Sequence, residues 1–198
     1  MGNIGIKAKA IENDFQQHGR KETIGKWFTE PVAQWLRILD GKEPVMALRE
    51  PETLMAGMRH DMALRDILLA TAACGNCEEF NGKAAFRFLM APHTPRNAEW
   101  METMLNNSFH GGVMPDEKRC RRAIDMLEAM ADLAGKDDGV YLAQPCAVIA
   151  YILWWRNDGH ALEWAFQSIA LDEDCSLAAI VISAINRNVW PAHDRTQE

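Results

Sequence analysis

Strand-type alternation is nearly absent from this chain, and so are long apolar runs. The longest apolar run, Ala147 to Trp155, has nine residues, whereas a membrane-spanning helix needs about 20. It therefore reads as a buried core helix, and no membrane partner is expected. Cysteine is sparse, with five residues and an odd count, which excludes a disulfide-stapled scaffold. The first ten residues carry Lys7 and Lys9 but no apolar segment of the kind that secretion requires. A reducing cytoplasm with free thiols is the expected setting. The glycine-rich nucleotide loops GxGxxG and GxxxxGK[ST], the GxSxG elbow and the HExxH zinc helix are all missing. Hence no cofactor, no metal and no catalytic set is expected.

What the chain does contain is the ordinary balance of a globular protein. Of 198 residues, 48% are hydrophobic and 25% are charged, enough for a single core at roughly 150 residues per domain. Asp and Glu number 28 against 21 Lys and Arg, a net charge of −7, which argues against binding to phosphate backbones. Methionine and tryptophan stand out, with 11 and 7 residues beside only 2 Tyr.

Helical periodicity runs through the whole length. Ile4, Ala8, Ile11 and Phe15 predict a first helix that Gly19 stops. A second starts near Thr29 with Pro31 in its first turn, places Val32, Trp35, Leu36 and Leu39 inward, and ends at Gly41. Residues 43–57 read as a loop with a short helix. Helices follow over 61–73, from Asn81 to Met90 after a turn at Gly75-Asn76, and through Trp100, Met104 and Leu105 to His110-Gly111-Gly112. The strongest stripe is Ala123, Met126, Leu127, Met130 and Ala134 within 115–134, with Asp116 and Glu117 in its first turn. Residues 143–156 are apolar on every side. After Asn157-Asp158-Gly159, residues 160–171 present Ala161, Leu162, Ala165, Phe166 and Ile169 to the core. The acidic connector Asp172-Glu173-Asp174 leads to a final apolar helix over 176–185, for which Asp174 is the expected cap. The expectation is a single all-α domain, a bundle of about eight to nine helices whose last three form antiparallel hairpins.

Several constellations bear on function. Cys74 and Cys77 form a CxxC, but no second pair completes a zinc site and no βαβ context makes it a redox site; an incidental helix-end pair is the plain reading. His60, Asp61, Arg65 and Asp66 are the densest titratable cluster, so a polar site between helices is a candidate for an enzyme or a ligand-binding protein. Lys118, Arg119, Arg121 and Arg122 are the one dense basic cluster, a candidate nucleic-acid contact or else a solvated face. Trp154 and Trp155 diverge by about 100° on a helix. They are therefore expected to face different neighbours, one in the core and the other near Trp164 or at a surface open to a partner.

Trp155, Asp158-Gly159, Ala161, Ala165, the run 169–172, Leu177-Ala178 and Trp190-Pro191 keep a spacing that resembles the C-terminal region of the actinobacterial domain-of-unknown-function family 4192. Arg65-Asp66-Ile67-Leu68-Leu69 looks like that family's R-D-x-L-L segment, so the resemblance spans residues 59–191. Asn157 replaces a customary glycine and Glu173 a customary proline. The α/β portion that usually precedes has no counterpart in residues 1–58, and residues 192–198 are a polar tail. The resemblance implies a helical fold and supplies no catalytic residues, because the family has no assigned activity. The hairpin also resembles half a tetratricopeptide repeat, without a second copy at the required period.

The leading expectation is a non-enzymatic helical domain that acts through contact with a protein partner or with itself, with Trp154, Trp155, Trp164, His60, Arg65 and Asp66 as candidate binding residues. The alternatives are the polar site near His60 and nucleic-acid binding through residues 118–122.

Overall fold

Asp61 and Asp116 each start a helix by accepting hydrogen bonds from free backbone amides. A computed structural model describes residues 2–74, 82–110 and 114–192, the side chains of 136 and 137 excepted. Among these residues there are ten α-helices and no strand, so the fold is all-α. The expectation of eight to nine helices differs only in how the short ones are counted. They are α1 (Asn3–Trp27), α2 (Thr29–Leu39), α3 (Pro51–His60), α4 (Met62–Ala73), α5 (Gly82–Met90), α6 (Pro95–His110), α7 (Glu117–Leu133), α8 (Ala143–Trp155), α9 (Ala161–Leu171) and α10 (Ser176–Asn186). The turn at Gly75-Asn76, the residues Cys77 and Asn81, Gly111-Gly112, and 193–198 lie outside the described residues.

The chain is organised around α8, of whose 13 residues 12 are buried. Helices α3, α4, α7, α9 and α10 all pack against it. Its connectors to α9 and from α9 to α10 are only a few residues long, so the last three helices fold back on one another as antiparallel hairpins. Helices α2, α4 and α7 meet through a buried polar relay. The Trp35 indole donates to Thr71 Oγ1 at 3.0 Å, and Arg119 Nε donates to the Thr71 carbonyl at 2.7 Å. Each group is thereby satisfied away from water, as burial requires.

Several expectations are extended or corrected. Gly19 does stop the first helical stretch, as expected, with φ of 73° and ψ of 173°; what the sequence reading lacked is the second stretch that follows at once and runs to Trp27, the two together making α1. The break lets Asp14 reach across to Lys26 and to Trp27 Nε1, and the hydrogen bond from Lys26 holds the Asp14 carboxyl below its usual range. Asp174 does not cap α10: Cys175 occupies that position with no side-chain cap, while Asp172 folds the connector by pairing with Arg59 at 2.6 Å. On α9 the buried residues are Ala161, Ala165 and Ser168, and Phe166 points outward. Small residues let α9 lie close to α8, close enough for Ser168 Oγ to donate to the Ala143 carbonyl at 2.7 Å.

Trp154 and Trp155 also depart from the expectation of separate neighbours. Both rings touch Phe109, at centroid distances of 5.8 and 5.4 Å, and both touch Tyr151, at 5.1 and 5.0 Å. The 100° divergence holds at Cβ, but indoles extend far enough for one ring wedged between them to meet both. Their N–H groups are satisfied by the Val189 carbonyl and by Ser108 Oγ. The pair is a core cluster that ties α6 and the segment after α10 to α8.

Candidate functional site

The four titratable residues near His60 do not converge. Asp61 is the junction of α3 and α4: its carboxylate accepts from the Ala63 and Leu64 amides, capping α4, and pairs with Arg20 Nε of α1 at 2.7 Å. That leaves it committed to structure. His60 keeps an exposed edge, while partial burial of its ring holds its pKa below the ordinary imidazole value against the pull of Glu12 on α1. Arg65 is buried and grips Asp66 through Nε and Nη2, at 3.0 and 2.7 Å. Of the four, Asp66 lines a concave surface.

That surface is an open groove of about 590 Å³ between α4 and the α5–α6 pair. Its floor and walls are Met62, Ala63, Phe88, Pro92, Ala98, Met101 and Leu105, and its rim carries Asp66, His93, Glu102 and Asn106. The shape follows from local chemistry. Pro92 and Pro95 break the chain between α5 and α6. Asn97 then locks the corner, donating from Nδ2 to the carbonyls of Arg87 and Ala91 and accepting from Arg87 Nε. Phe88 packs against Trp100 at 6.1 Å between ring centroids, so α6 is tied to α5, which itself packs on α4. Met62 sits at the first position of α4, where no preceding turn covers it, and is 62% exposed.

An apolar concavity with few polar groups at its edge is the usual form of a binding surface. On the rim the charge of Asp66 is offset by Arg65, so Glu102 supplies the negative potential there. Of the groove residues, only Asp66 was a sequence candidate. The rest are missed because the groove forms between three consecutive helices and within none of them, although Met101 and Leu105, one turn apart on α6, hint at a face.

The remaining candidates have structural places. Trp164 is half-buried against the core on α9. Of the basic cluster, Lys118, Arg119 and Arg122 line one concave surface with Asp40 and Lys42; there Arg119 pairs with Asp40 at 2.6 Å and Arg122 Nη1 donates to the Leu39 carbonyl, and Lys118 and Arg121 are exposed. Cys74, Cys120, Cys146 and Cys175 are buried, and the last three are free thiols. Burial pushes the thiols of Cys120 and Cys146 up to about 11, away from nucleophilic reactivity. Among the described residues no three His, Cys, Asp or Glu side chains gather as a metal site, and no helix is long and apolar enough to cross a membrane. Comparison with protein-family models, with curated proteins and with solved structures finds no match.

Proposed function

We propose that this chain is a cytoplasmic, non-enzymatic protein-contact domain whose groove between α4 and α5–α6 takes an amphipathic helix bearing lysine or arginine beside its apolar stripe. The observation that carries this reading is the groove itself, an apolar trough edged by Asp66 and Glu102. Met62 and Met101 suit it to such a ligand, since flexible thioethers adapt to apolar side chains of varied shape. A helix entering a groove places residues at i, i+3, i+4 and i+7 into it, and a flanking cation would meet Glu102 on the rim. The net charge of −7 favours the same partners during approach. The resemblance of residues 59–191 to the domain-of-unknown-function family 4192 is likewise a proposal, supported by the residue pattern.

The test uses a labelled amphipathic Leu/Lys helical peptide, with a scrambled peptide of equal composition as control. Amide shift changes on binding should concentrate in α4, α5 and α6, the ordered peptide should bind tighter than the scrambled one, and Met62→Glu should weaken it at least tenfold. Equal binding of the two peptides, or an unaffected Met62→Glu variant, would overturn the reading.

A further inference from the structure

Helices α8 and α10 are equally apolar per residue, yet they are buried very differently. On α10 only Leu177, Ala178 and Val181, three of 11 residues, are buried. A helix apolar on all sides belongs in a core, yet among the described residues α10 has a face without a cover. That face carries little charge: α10 contains no Asp, Glu, Lys or Arg, α9 alongside it contributes only Glu163, and the exposed Glu173 and Asp174 stand at its end, in the connector. Phe166 on α9 and Ile180 on α10 are each 54% exposed.

We infer that the α9–α10 face is covered by a second copy of this chain, in a symmetric dimer. Charge selects the occupant. A two-fold contact sets each residue against the same patch of its mate, so on a chain of net charge −7 most of the surface would bring carboxylates together. The α9–α10 face is a place where an acidic chain can meet itself with little such repulsion. Shape supports the same choice. Ser176, Ala179, Ile180 and Ser183 lie along the outer stripe of α10, at i, i+3, i+4 and i+7. Ile180 is a knob, and the small residues beside it leave the hollow that a copy of that knob requires. Phe166 is the corresponding anchor on α9.

Size sets the strength. An 11-residue helix is about 16 Å long, and two side by side cover a strip about 20 Å wide. Such a face falls short of the roughly 800 Å² per partner of a standard interface. The dimer is therefore reversible and concentration-dependent. This inference is independent of the groove, which lies on α4 to α6.

Sedimentation equilibrium from about 5 to about 500 µM, the range suited to so small an interface, should show a monomer passing to a dimer. Ile180→Glu should raise the dissociation constant at least tenfold, and Phe166→Glu should act in the same direction. Met46→Glu, on a side chain exposed in the turn before α3, should leave association unchanged. Circular dichroism of each variant separates loss of association from loss of fold, and two independent substitutions keep the test open if one misfolds. A wild-type monomer throughout the range, or a dimer indifferent to both substitutions in folded protein, would overturn the inference.

Discussion

Helices α8 and α10 have nearly the same kind of sequence and opposite environments. One is packed by five helices and the other rests on two. Apolar composition thus specifies that a face wants covering, and leaves open whether the cover comes from the same chain. For α8 the cover is intramolecular and dense: Trp155 stacks on Tyr151 with 27° between planes, touches Phe109 edge-on, and donates to Ser108. For α10 the inner stripe is small and the outer stripe open, so its apolar content exceeds what folding of one chain can use.

The comparison is broken most directly at Trp155. Trp155→Ala removes a fully enclosed indole, opens a cavity between α6 and α8 and leaves Ser108 without its donor. Loss of about 3–5 kcal/mol is expected, because the transfer and cavity terms add. Urea or thermal unfolding of the variant measures it. A loss of no more than about 0.5 kcal/mol, the range of ordinary surface substitutions, would show that α8 is less central than its packing implies.

Much of this was legible beforehand, and the exceptions share a cause. The all-round apolar run of 143–156 announced α8, and the Ala123, Leu127 and Met130 stripe announced α7, because each signal lies within one element. Asp61, by contrast, looked like one member of a polar cluster; its roles as α4 cap and as mate of Arg20, 41 positions away, depend on how α1 lies. Asp138 was not singled out at all, yet it is buried and accepts from the Gly5 amide at 3.2 Å, closing the start of α1. Arg119 read as surface charge because its partners Thr71 and Asp40 belong to other helices. Phe166 read as core because its spacing suits an inward stripe, whereas Ala161, Ala165 and Ser168 allow the closer approach. The groove is the same case at larger scale: it belongs to no segment.

A smaller effect sharpens the contrast from the side of α10. Ile180→Ala, on an equally apolar helix, should change the unfolding free energy by no more than about 0.5 kcal/mol, the usual span for an exposed site. The measurement belongs in dilute protein, where association contributes nothing. A loss of 2 kcal/mol or more, typical of buried Ile→Ala, would place Ile180 inside the monomer's own core and remove the distinction between the two helices.

The smallest expected effect lies at the turn that joins α8 to α9. The exposed His160 ring approaches Asp158 Oδ1 at 2.8 Å, and that hydrogen bond raises the imidazole pKa above its ordinary value of 6.5. The Asp158 carboxyl is lowered in turn, first by the hydrogen bond from the His160 amide. A histidine with a raised pKa in the folded state stabilises that state fully below the unfolded value of about 6.5. The contribution fades as pH rises through the folded value. Stability should therefore decline slightly between mildly acidic and mildly alkaline pH, and the decline should shrink in salt, since both side chains are exposed and screened. An NMR titration of the His160 ring tests the sign directly. A midpoint below that of an unstructured histidine would mean that the pair does not form in solution, and the α8–α9 turn would then rest on its backbone hydrogen bonds, Asp158 N to the Leu153 carbonyl among them.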